Sequence, residues 1–209
     1  MMVVLAIIAI ITSIALLGQS TFNRSLLLTN TAYTVALSIR EMQTLGLSSR
    51  TYNSVQNAGY GVHFDKTVPQ SYILFADISK TLPVPSNCVV GSIADAPDAK
   101  PGNCKYDTSG TPDGIVQTYA FSRGFTVTKF CGKLNPTTTY CSTDGLPLTS
   151  LDVAFVRANT ETAVNAVRSG SSVQLTTAEI YISSADGQAS RAVCVNKVGQ
   201  VSVALGNCP

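Results

Sequence analysis

Tryptophan is absent, histidine occurs once, and Asp, Glu, Lys and Arg together make up only 12% of the 209 residues. That charged share is well short of the roughly 25% of ordinary soluble domains, which argues against a cytosolic globular enzyme. Metal and redox chemistry also lack raw material. No Cys-x-x-Cys pair occurs, and one imidazole, His63, cannot assemble a zinc set with scattered cysteines. Gly-x-Ser-x-Gly, phosphate-loop and His-Glu-x-x-His motifs are missing as well. His63 is therefore expected to be a hydrogen-bonded structural residue, with no catalytic role, and neither cofactor nor metal is expected. Charge of one sign is also lacking: 14 basic against 12 acidic residues leave a net +2, too small and too scattered to draw a polyanion.

What the chain does hold begins with six cysteines, at 88, 104, 131, 141, 194 and 208. An even number without metal-site spacing reads as disulfides, which places the folded chain in an oxidising compartment. Each neighbouring pair brackets a segment rich in Gly, Pro, Asn or Asp. Local pairing is therefore expected: Cys88 with Cys104, Cys131 with Cys141 and Cys194 with Cys208. The other connectivities that six cysteines permit stay open.

The remaining hydrophobicity is concentrated at the start. From Met1 to Leu17 only Thr12 and Ser13 interrupt a run of Met, Val, Leu, Ile and Ala, and Gly18 follows it. Such a run is at the short end of what spans a bilayer. From Leu28 the apolar or small positions Ala32, Val35, Ile39, Met42 and Gly46 recur at steps of four and three, one face of an α-helix. Nothing helix-breaking stands between the run and the stripe, so one helix from Met1 to about Leu45 is expected, roughly 65–70 Å long at 1.5 Å per residue. Its first half is apolar all round. Such a surface belongs in lipid, or, once extracted, among identical helices of neighbouring subunits. A plain membrane anchor carrying a periplasmic domain is the alternative.

The string Met2, Val3, Val4, Leu5, Ala6, Ile7, Ile8, Ala9, Ile10, Ile11 resembles the start of mature type IV pilins and type II secretion pseudopilins. In that family it follows a cleaved basic leader, a methylated phenylalanine and a short segment ending in glutamate. Here Met1 stands where the pattern is already inside the helix, so the chain reads as truncated or begun at an internal methionine. The segments Ser150 to Arg157, Ala178 to Ile182 and Val193 to Val203, with Asn57 to Phe64, are similar to strands of the H-type minor pseudopilins. The resemblance implies a precursor held in the inner membrane as a single-pass protein, a prepilin peptidase and an assembly platform. It also implies a homo-oligomeric helical filament at the cell surface. Polymerisation would run through Met2, Val3, Val4, Leu5, Ile7, Ile8, Ile10, Ile11, Ile14, Leu16 and Leu17.

Beyond residue 48 the period changes. Runs at Tyr60 to Phe64, Ser71 to Phe75, Ile115 to Phe121, Phe125 to Phe130, Leu151 to Val156, Gln174 to Ser183, Ala192 to Asn196 and Gln200 to Leu205 read as strands. Ser122-Arg123-Gly124 and Lys197-Val198-Gly199 read as hairpin connections. The expected fold class is α+β and pilin-like, a long N-terminal helix (residues 1–48) packed on an antiparallel sheet or sandwich (49–209). Between Ser86 and Asp113 a stretch dense in Asn, Asp, Pro and Gly forms a loop in need of a staple. Its acids Asp95, Asp98, Asp107 and Asp113 are weak candidates for calcium, since their spacing fits no EF-hand. Arg123, Lys129, Arg191 and Lys197 are weak candidates for DNA phosphates, because they show no clustering.

These readings yield three expectations. First is a structural subunit of a pilus or pseudopilus filament, serving secretion, adhesion or motility. Second is a minor tip subunit that binds a surface or nucleic acid. Third, and disfavoured, is a secreted or anchored enzyme.

Overall fold

The computed structural model describes residues 2–48, 50–79, 88, 102–110, 112–157 and 161–209; within the helix, the side chains of 2, 5, 6, 9 and 14–21 lie outside that description. Among the described residues one helix, α1 (Met2–Leu47), precedes eleven strands. They are β1 (Gly59–Asp65), β2 (Ser71–Asp77), β3 (Gly114–Ala120), β4 (Thr126–Asn135), β5 (Thr138–Cys141), β6 (Leu148–Phe155), β7 (Ala163–Arg168), β8 (Ser171–Leu175), β9 (Ala178–Ser183), β10 (Ser190–Val195) and β11 (Val201–Ala204).

The strands form two antiparallel sheets, a six-stranded one in the order β3-β2-β1-β6-β7-β8 and a five-stranded one in the order β11-β10-β9-β4-β5. The expected fold class is thereby corrected. The molecule is sheet-dominated: two sheets, not a long helix on a β head, make up the body, and the helix adds one layer to it. The cause lies in the inventory of apolar faces. Strand alternation supplies most of the buried side chains, including Val62, Phe64, Leu74, Phe130, Leu151, Val153, Ile180, Ile182 and Val193. From the helix come Leu28, Ala32, Val35, Ala36, Ile39 and Met42. Each large member of that stripe, fully buried, contributes roughly 1.5–3 kcal/mol. Gly46 closes the stripe at a contact that admits no side chain, since a Cβ there would stand 2.3 Å from the Phe155 carbonyl oxygen.

Two links run between the sheets where the sequence suggests local returns. Ser122-Arg123-Gly124 does make a tight turn, with Phe125 N–H donating to the Ser122 carbonyl at 3.2 Å and φ of 59° at Arg123 and 73° at Gly124. Yet β3 and β4 lie in different sheets, so the turn is a crossover and not a hairpin. The run from Gln174 to Ser183 likewise divides, β8 in one sheet and β9 in the other. By contrast Lys197-Val198-Gly199 does join a hairpin, β10 to β11, with Gly199 at φ 82°.

Every position of β9 is buried. Ala178, Ile180 and Ile182 face the main core, while Tyr181 joins a small outer cluster with Cys131, Ala192 and Cys194. The six-stranded sheet is also covered on its outer face, where Phe75, Ala154, Val156 and Ala163 pack with Cys88 and Cys104.

Candidate functional site

Two regions carry chemistry beyond the core. The first is the early part of α1. Val3, Val4, Ile7, Ile8, Ile10 and Ile11 are all more than half exposed, from 52% at Ile7 to 71% at Val3. Phe22, Leu26, Tyr33 and Leu37 extend this uncovered apolar surface along the helix. Of the expected polymerisation residues, Met2, Leu5, Ile14, Leu16 and Leu17 have side chains outside the described residues. The expected membrane span is corrected: among the described residues no helix is long and apolar enough to cross a membrane.

The second region is the outer face of the six-stranded sheet. His63 on β1 lies directly across from Asp152 on β6, and its Nδ1 is 2.6 Å from an Asp152 carboxylate oxygen, with both side chains buried. Burial works to lower the His63 pKa, yet the charge and hydrogen bond of Asp152, with Asp65 behind them, carry it above its ordinary value. The hydrogen-bonded histidine expected from the sequence is found, in a pairing no local motif announces.

Residues 102–110 and 112–113 form a strap across this face. Asp77 on β2, fully buried, accepts the backbone N–H groups of Asn103 at 2.9 Å and Cys104 at 2.6 Å. Burial and then the nearby Asp113 charge push its carboxyl up to about 8. Asp113 in turn accepts the N–H groups of Ile78, Ser79 and Asp107 at 2.8–2.9 Å. Asn165 on β7 donates to the Cys104 carbonyl at 3.0 Å. The strap delivers Tyr106, whose ring centroid is 4.7 Å from that of His63 and 5.4 Å from that of Phe75. Gly102 is required where the strap meets Asp77, because a Cβ would lie 2.1 Å from its carboxyl carbon.

These bonds engage two of the calcium candidates. Asp113 spends both carboxylate oxygens on backbone amides, and Asp107 accepts from the Asn103 side chain at 2.6 Å. The two acids thus brace the strap. Asp95 and Asp98 lie outside the described residues.

The three cysteine pairs expected from local spacing are all present: Cys88–Cys104, Cys131–Cys141 and Cys194–Cys208. The first ties the strap, the second clamps β4 to β5 at directly paired positions, and the third returns the C-terminal tail onto β10.

The basic residues considered for nucleic acid are mostly engaged within the chain. Arg191 donates to the Thr29 and Ser25 hydroxyls of α1 at 3.0 and 2.9 Å. Lys197 pairs with Glu161 at 3.2 Å, and the Lys129 ammonium stands 4.1 Å from the Tyr181 ring centroid. Arg123 sits at the crossover turn. Compared with known proteins, the chain matches no family model, no curated protein and no solved structure.

Proposed function

We propose that this protein is a structural subunit of a filament of the type IV pilus or type II secretion pseudopilus kind, acting at the cell surface in an oxidising compartment. The observation that carries the reading is the helix surface made by Val3, Val4, Ile7, Ile8, Ile10 and Ile11, apolar and left in the open by the other described residues. Exposed contiguous apolar surface of this kind marks an interaction site. Its most economical cover is the same segment of identical subunits, which gives a helical core with the sheets outside. Three disulfides suit a body that works outside the cytoplasm. In this reading α1 is the joint between subunits, and a catalytic role is not assigned.

Sedimentation of the full chain against the double variant Ile7→Asp, Ile11→Asp tests it. Two charges in a buried helical seam are prohibitive, whereas on an exposed helix they cost the monomer little. The wild-type chain is expected to sediment as large assemblies and the variant as a monomer of unchanged melting temperature. Equal sedimentation of the two would remove the reading.

A further inference from the structure

The strap covers only part of the outer face of the six-stranded sheet. Beside it, between Tyr106 and the turn that joins β1 to β2, a groove of about 490 Å³ lies open over β3, β2, β1 and β6. That is within the range of small-ligand clefts, about 300–1,000 Å³.

The groove's polar lining is almost entirely hydroxyl: Thr67, Ser71, Thr108, Thr118, Thr149 and Ser150. Of these, Thr67 is spent on Asp65 at 2.7 Å and Thr149 donates to the Val167 carbonyl at 3.2 Å. The side-chain hydroxyls of Ser71, Thr108, Thr118 and Ser150 bond to no other described group. His63 borders the same space with Nδ1 taken by Asp152, which leaves Nε2 as its unspent ring nitrogen. Val68, Ile73 and Val167 add apolar patches, and Tyr106 adds an aromatic wall.

This inventory discriminates among ligand classes. Among the described residues no Lys or Arg lines the groove, and the charge His63 takes up is already matched by Asp152, so phosphate, sulfate or carboxylate groups would find no unpaired countercharge. A cation would find one nearby acid, Asp65, with a carboxylate oxygen already accepting from Thr67 twice. Free hydroxyls that both donate and accept, set beside aromatic and aliphatic surface, suit a molecule that alternates hydroxyl edges with C–H faces. We infer that the groove between Tyr106 and the β1–β2 turn is a binding site for a neutral saccharide, with His63 Nε2 as its directional contact and Asp152 as the group that fixes the ring. The inference does not depend on filament assembly.

Because His63 is the only histidine, its two carbon-bound ring protons give one unambiguous pair of nuclear magnetic resonance signals inside the proposed site. The experiment titrates the full chain, carrying Ile7→Asp and Ile11→Asp to keep it unassembled, with maltose, cellobiose, lactose and chitobiose, and with a sulfated disaccharide as the anionic control. At least one neutral sugar is expected to shift the His63 signal saturably, and the sulfated one is not. Thr118→Trp, on an exposed strand position that tolerates an aromatic residue, fills the groove without touching the core and is expected to weaken binding about tenfold or more. Three results would overturn the proposal: a His63 signal unmoved by every neutral sugar, a shift caused by the sulfated sugar alone, or affinity unchanged by Thr118→Trp.

Discussion

The two halves of α1 are built from similar apolar residues and meet opposite fates. Between Leu28 and Met42 the helix turns a stripe into the main core, where Leu28, Val35, Ile39 and Met42 are completely buried. Between Val3 and Ile11 side chains of the same kind stand in the open. The difference lies in what surrounds them. The later half has β1 and β6 of one sheet and β9, β10 and β11 of the other beneath it, while the earlier half carries apolar residues all round and no partner among the described residues. The later half is explained by the fold, and for the earlier half the proposed cover is another molecule.

The sharpest break of that comparison is a matched pair of truncations. Ile39→Ala is expected to destabilise the monomer by about 2–5 kcal/mol, through lost burial and the cavity left behind. Ile8→Ala, the same chemistry on the exposed half, is expected to change it by about 0.5 kcal/mol or less. Denaturant unfolding of the unassembled chain measures both, and similar losses at the two positions would end the division of the helix.

Next in size are the staples. Replacing Cys88 and Cys104 together with serine is expected to cost about 3 kcal/mol, as for any bridge closing a loop of this length. The strap should then gain hydrogen exchange at Asn103, Asp107 and the substituted position 104 while α1 keeps its protection. Loss of protection along the helix as well would show that strap and helix are one cooperative unit.

A smaller effect concerns Arg191, which ties β10 to Ser25 and Thr29 at the point where the helix begins to pack. Arg191→Ala is expected to cost about 1 kcal/mol. Exchange should rise in the helix around residues 22–29 and hardly change at Ile39.

A further expected effect is one of pH. The folded-state pKa of Asp77 is raised to about 8 from an ordinary 3.8, by burial first and Asp113 second. A carboxyl raised in this direction supports the fold fully below its unfolded value, and the support is lost as pH climbs toward the folded one. Asp77→Asn, which stays neutral, should therefore gain on the wild type in melting temperature between about pH 4 and pH 8. A wild-type advantage that grows over this window would mean that Asp77 is a stable anion held by the Asn103 and Cys104 amides.

Much of this was legible in the sequence, for identifiable reasons. The helix stripe showed because its period is local, and the three disulfides showed because each pair brackets its own loop. Strands β5 and β7 did not show. Thr138 to Cys141 is only four residues long, and Ala163 to Arg168 carries the buried Asn165 where an apolar residue would have signalled a strand. The crossovers at Ser122-Arg123-Gly124 and after Leu175 escaped because a tight turn has the same composition whether the next strand returns to its neighbour or leaves for another sheet. That ambiguity left single sheet and sandwich undecided, and the long apolar start gave the helix too much weight in the expected fold class. The His63–Asp152 pair joins residues 89 apart in the chain, and only the register of β1 with β6 brings them together. The strap was readable as a stapled loop, but its docking on Asp77 and its role as a wall over a hydroxyl-lined groove depend on contacts that no spacing rule reaches.

Whether the exposed half of α1 is covered by its own kind is tested most directly by photo-crosslinking from a photoreactive phenylalanine analogue placed at Ile8 in the assembled protein. The account predicts crosslinks in high yield to the segment between residues 3 and 11 of a second copy, identified by mass spectrometry. Crosslinks confined to the same chain, or found only to lipid, would contradict it.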